Sequence, residues 1–165
     1  MNYLIIIDAL RFAILCGLVN MSQNFLGAFK KLYSLERFDP PIDGSLRFFG
    51  ERLVGKSATW GGLVVSLFVG IILQIFYSPV GVIIGVGCSF GHIIGSFIKR
   101  RLHIRDGDYL PVVDHGNYVI FTGAILLCLG DISVPVYFLS IVIILLVHPL
   151  FCLSGYALGI RDRKL

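Results

Sequence analysis

Five stretches of this chain are apolar for long enough to cross a bilayer, and together they occupy most of it: roughly residues 4–27, 59–78, 79–98, 117–133 and 134–158. About 20 such residues span the hydrocarbon core as a helix. The sequence therefore predicts an all-α, polytopic membrane protein with five transmembrane helices, folded as one domain over residues 1–165. Two polar loops, 28–58 and 99–116, remain, and no soluble domain is left over. Composition agrees: 56% of residues are hydrophobic and mean hydropathy is +0.87, whereas soluble domains stay near half apolar.

The first apolar run lacks the basic start and small-residue cleavage site of a signal peptide, so it is read as a retained helix. It carries Asp8 and Arg11 on one helical face. Isolated charges in a membrane are expensive, so the two are expected to pair. Cys16, Cys88, Cys128 and Cys152 all lie in apolar segments and are read as small buried hydrophobes.

Cationic residues are segregated. Lys30, Lys31, Arg37, Arg47, Arg52 and Lys56 fall in the first loop, Lys99, Arg100, Arg101 and Arg105 follow the third apolar run, and Arg161, Arg163 and Lys164 end the chain. The connections near Ser78 and Asp131 have none. Positive charge marks the cytoplasmic side, which predicts an external N-terminus, a cytoplasmic C-terminus and both long loops in the cytoplasm. Lipid headgroups alone account for the terminal cluster. They account less well for the other two, which also carry Asp43, Glu51, Asp106, Asp108 and Asp114.

Local signals sharpen the outline. Phe38-Asp-Pro-Pro-Ile-Asp-Gly44 is turn-rich and is expected to fold back on the bundle. Thr59 is a candidate N-cap, with Trp60 at the interface. The third helix has glycines at 81 and 85 and at 87, 91 and 95, a spacing that lets membrane helices approach closely, within the monomer or in a homodimer. Ser89, His92, Ser96 and Lys99 align as a polar stripe, which in a membrane helix faces the bundle interior or a wet cavity. The fourth helix is expected to start near Asn117. Pro149 predicts a kink in the fifth, and His148 beside it is read as structural. Gly50-Glu-Arg-Leu-Val-Gly55-Lys56-Ser57 matches the P-loop letter for letter. It is rejected, because that mechanism needs a buried strand before the loop and an α/β domain around it. Lys56 at a helix N-terminus still suits a phosphate.

Asn20, Pro41-Ile42-Asp43-Gly44, Phe49-Gly50, Gly55-Lys56, Thr59-Trp60, and Gly91 through Arg101 with Asp114 occur in an order and spacing that resemble the CDP-archaeol synthase family and, more distantly, the CDP-diacylglycerol synthases. The resemblance runs from about residue 15 to 125. It implies five membrane helices in a prokaryotic cytoplasmic membrane. It also implies a Mg²⁺-dependent transfer of CMP from CTP to a phosphorylated membrane lipid, with release of pyrophosphate and no nucleic-acid partner. Carried onto this chain, it implies catalytic roles for Lys56, Lys99, Arg100 and Asp114. Substrate binding falls to Asp43, Thr59, Trp60, Ser96 and Arg101. A metal would be held by Asp114, with Asn117 and His92.

The chemistry suits these residue types. Two anions must be held together, so positioning and charge neutralisation dominate. Lysine and arginine hold phosphates and a carboxylate holds Mg²⁺. The chain departs from the family pattern where His92 and Asn117 replace carboxylates and where two residues are inserted before Thr59. Those departures keep open an alternative: a catalytically degenerate protein of the same fold that binds nucleotide or lipid phosphate without turnover. A transporter is disfavoured, since no internal repeat is evident.

Overall fold

The computed structural model describes residues 3–105, 108 and 110–157; Asp106, Arg161, Arg163 and Lys164 lie outside the described residues. Five helices follow in order: α1 (Tyr3–Leu32), α2 (Trp60–Phe76), α3 (Gly81–Arg101), α4 (Pro111–Leu129) and α5 (Val134–Ala157). All but α2 are long and apolar enough to span a membrane, and α2 is an apolar helix of 17 residues. The protein is a multi-pass helical membrane protein. Its outward faces are apolar, with Phe68, Ile75, Phe138 and Leu146 exposed, as lipid contact requires. Val19, Ile84, Tyr118, Val119 and Leu126 are fully enclosed.

The third helix is the centre of the bundle because its glycines leave room on two sides. A Cβ on Gly85 would lie 2.6 Å from the Ser66 carbonyl oxygen of α2, and one on Gly91 would lie 2.6 Å from the Asn117 carbonyl oxygen of α4. Backbone thus meets backbone on both faces, the packing that small residues permit in lipid. The glycine ladder is used inside the monomer. Gly91→Ala is expected to cost about 2 kcal/mol, because the methyl has only main chain to push against. Heating the detergent-solubilised protein and measuring the fraction still monodisperse checks this.

Several boundaries differ from expectation. The fourth helix begins at Pro111, not near Asn117. Proline is favoured at a first helical position, and the Asp114 carboxylate accepts the Leu110 N–H at 2.7 Å, so Asp114 stabilises the first turn. The third helix extends to Arg101, which puts Lys99, Arg100 and Arg101 in its last turn, where cations oppose the helix dipole. Arg11 does not serve Asp8: it donates to the Tyr77 carbonyl at 2.7 Å, satisfying one of the open acceptors at the end of α2. Pro149 lies inside α5, which continues as one helix to Ala157.

Candidate functional site

The loop between α1 and α2 is an ordered cap. Its two ends meet in an antiparallel bridge between Pro41 and Thr59. Its middle forms a hairpin of two-residue strands, β1 (Arg47–Phe48) and β2 (Glu51–Arg52). The turn uses Phe49 and Gly50, both at positive φ, a geometry that glycine adopts without strain. The P-loop lookalike is therefore a hairpin followed by a turn, with no parallel sheet among the described residues.

Asp43 organises this cap. It is 3% exposed. Its carboxylate accepts from the Arg52 guanidinium at 2.5 Å and from the backbone N–H groups of Ser45, Val54 and Gly55 at 3.0, 3.1 and 3.0 Å. Burial pushes its carboxyl pKa up, but these four donors outweigh it and hold the group well below the usual carboxylate range. With both oxygens accepting hydrogen bonds, Asp43 ties the hairpin and the turn after it together. Arg101 donates to the carbonyls of Phe48 at 2.5 Å and Arg52 at 2.7 Å and stacks on Phe48 and Phe97. Its guanidinium fastens the hairpin to the end of α3.

The start of α2 carries a second polar group. Thr59 is the N-cap, accepting from Gly62 N–H at 3.3 Å. Lys30 reaches Thr59 Oγ1 at 3.3 Å and pairs with Asp39. Asp39 also accepts the Gly61 N–H at 2.6 Å. Burial raises the Asp39 pKa, but the Lys30, Thr59 and Gly61 hydrogen bonds outweigh it and lower the value. Trp60, 52% exposed, lines a cleft of about 300 Å³ here with Leu26, Lys30 and Asp39. Lys30 and Asp39 were missed in the sequence, where they read as ordinary loop charges nine residues apart.

The third cluster lies on the seam of α3 and α4. The Lys99 ammonium faces both oxygens of Asp114 at 2.9 Å. His92 feels the charges of Asp114 and Lys99, and its ring is hydrogen-bonded to the Ser57 backbone. The cap is thereby drawn onto α3, and Lys56, the neighbour of Ser57, is exposed. Seven residues separate His92 from Lys99, about 10 Å along a helix. Ser96 and Arg100 are each 8% exposed within α3.

The two residues offered as extra metal ligands do not fit that role. Asn117 turns its Oδ1 to the Tyr118 N–H at 2.6 Å and its amide nitrogen against Gly95. His92 is held by Ser57, and imidazole is a poor donor to a hard cation. Of Asp43, His92, Asp114 and Asn117, Asp114 pairs with Lys99 at the end of α3, while Asp43 and Asn117 make hydrogen bonds within the cap and within α4. What remains is a site rich in cations with one carboxylate, beneath a folded cap.

A profile described as CarS-like CDP-archaeol synthase matches residues 75–164. The CDP-archaeol synthase of Staphylothermus marinus is 34% identical over 128 residues, covering 70% of this chain and 73% of that protein. That of Methanococcus aeolicus is 31% identical over 144 residues, covering 74% and 81%, and that of Methanosphaerula palustris is 32% identical over 147 residues, covering 74% and 87%. In fold, the chain is similar to a solved intramembrane enzyme for archaeal membrane lipid biosynthesis, with a TM-score of 0.62 at 24% identity over 82% of this chain and 89% of that one.

Proposed function

The chain belongs to the CDP-archaeol synthase family, and from that premise we propose that it performs the family's reaction with the α3–α4 seam as its active site. It is a CTP-dependent cytidylyltransferase that forms CDP-archaeol from the phosphorylated lipid. An oxygen of the lipid phosphate bonds to the α-phosphorus of CTP, the bond from that phosphorus to the bridging oxygen breaks, and pyrophosphate leaves. The observation that carries the assignment of the site is the Lys99–Asp114 pair on the seam of α3 and α4.

Each residue then has a chemical task. Lys99 and Lys56 neutralise phosphate charge, so that two anions can approach. Arg100 can grip a phosphate with two parallel N–H groups. Trp60 lines the cleft at the N-terminus of α2 and Thr59 caps that helix, where backbone N–H groups favour an anion. Ser96, on the same face of α3 as Lys99, offers a hydroxyl to substrate. His92 positions the cap through Ser57.

Asp114 already presents both oxygens to a cation, the Lys99 ammonium. That donor set suits Mg²⁺, which takes one or two carboxylates and completes its shell with substrate phosphates and water. Asp114 would hold it together with the nucleotide. Such an ion would withdraw charge from the phosphate oxygens and stabilise the departing pyrophosphate.

The charge distribution supports an external N-terminus with the cap and the α3–α4 connection in the cytoplasm, where CTP is available; the prokaryotic cytoplasmic membrane is the corresponding location. A homodimer would have to form through surfaces other than the α3 glycines, which α2 and α4 occupy. The decisive experiment incubates the purified protein in detergent with labelled CTP, Mg²⁺ and phosphorylated archaeol or phosphatidic acid. A CDP-lipid product is expected. Binding of CTP without product under any metal condition would overturn the assignment in favour of a degenerate binder.

A further inference from the structure

His148 and Cys152 are four residues apart on α5 and share a helical face. His115, from the first turns of α4, meets them there. The two imidazoles touch through their Nδ1 atoms at 2.5 Å, and Cys152 Sγ is 3.6 Å from His148 Nδ1. One ligand atom from each residue lies within 4.8 Å of the other two. His115 is 4% and Cys152 2% exposed, while His148 is partly exposed and leaves a route inward. None of the three has a task in the nucleotidyl transfer described above.

We propose that His115, His148 and Cys152 form a binding site for a borderline-soft divalent cation of the Zn²⁺ class, separate from the catalytic seam. The donors are right for it: imidazole nitrogen and thiolate suit such ions and reject Mg²⁺. The spacing is right as well. Bond lengths to Zn²⁺ of about 2.0 Å for nitrogen and 2.3 Å for sulfur put ligand atoms roughly 3.3 to 3.6 Å apart in a tetrahedral shell. Small side-chain rotations reach this from the present geometry.

A residue of α1 completes the design. Asn20 Nδ2 lies 3.4 Å from His148 Nε2. In this arrangement the amide donates to Nε2, and His148 Nδ1–H donates to His115. When the cation binds, the proton of His148 moves from Nδ1 to Nε2, and the Asn20 amide turns so that Oδ1 accepts it. An acceptor on the distal nitrogen is what orients a ligating histidine. The Cys152 thiol gives its proton to solvent, so one proton is released per ion bound. Three protein ligands leave the fourth position to water. The occupied site fastens the end of α5 to the start of α4, one residue from Asp114.

The test is a Co²⁺ titration of the full chain in detergent, after treatment with a chelator. The expected result is uptake of one equivalent, a thiolate-to-cobalt charge-transfer absorption, displacement by Zn²⁺ and indifference to excess Mg²⁺. The near-isosteric Cys152→Ser should fold and lose the charge-transfer absorption, and Zn²⁺ should raise the unfolding temperature of the wild type but not of this variant. His148→Gln should behave alike; if it fails to fold, Cys152→Ser decides. The absence of saturable uptake, or a cobalt spectrum unchanged by Cys152→Ser, would overturn the proposal. None of these readouts depends on catalysis, so the site stands or falls apart from the assigned reaction.

Discussion

Lys99→Ala is expected to lower kcat/KM for CDP-lipid formation by about 10² to 10³-fold, the usual effect of removing one preorganised group that stabilises transition-state charge. Two losses combine. The phosphates lose a cation, and Asp114 loses the ammonium that faces both its oxygens, so its negative charge is turned on an anionic substrate. Lys99→Arg should recover part of the activity, since charge returns in a different shape. The Lys99→Ala, Asp114→Ala double variant should fall short of the product of the two single effects, because the pair acts as a unit. Steady-state kinetics with all four proteins tests this. A loss under tenfold for Lys99→Ala would leave the cluster as a topology anchor and nothing more.

Asp43→Ala is expected to release the cap, at a cost of about 3 kcal/mol, because it strands a partly buried guanidinium and three backbone N–H groups. Trypsin offers a direct readout, since Arg47, Arg52 and Lys56 all lie in the cap; cleavage there should accelerate about 10²-fold when opening and reclosing are fast relative to cleavage. The pH dependence has a definite sign. The folded-state pKa of Asp43 is depressed, so its stabilisation is complete above the ordinary carboxylate value of 3.8 and is lost as pH falls below that toward the lowered value. Hydrogen exchange of cap amides should thus show constant protection from pH 7 to 5 and a loss only under about pH 4. Protection that already fades at pH 6 would point to a different group.

Much of this was legible because each signal was local. The long apolar runs gave the helices, Thr59 gave the start of α2, and the spacing of the glycines in α3 announced close neighbours. The resemblance placed Lys99 and Asp114 in one site, and they meet there. What stayed hidden depended on partners distant in the chain. Asp43 looked like a ligand because its four donors come from a loop whose course no periodicity reveals. Arg101 looked like part of a cationic patch, yet its acceptors lie about fifty residues away. The expected loop 99–116 takes in the first turn of α4, although Pro111 was a start signal in plain view. His148 and Cys152 were recognisable as an i, i+4 pair, but only the fold brings His115 to them.

The shortness of α2 has a mechanical consequence for the lipid around the protein. Seventeen residues rise about 26 Å, against a hydrocarbon thickness near 30 Å. Crossing the bilayer on a helix this short would draw the leaflets together beside it. The phosphate plane would then dip along α2, whose N-terminus carries Thr59 and the cleft beneath Trp60. Such a mismatch would lower a phosphorylated lipid toward the cations without lifting its chains out of the leaflet, and would make bilayer thickness a variable that turnover follows.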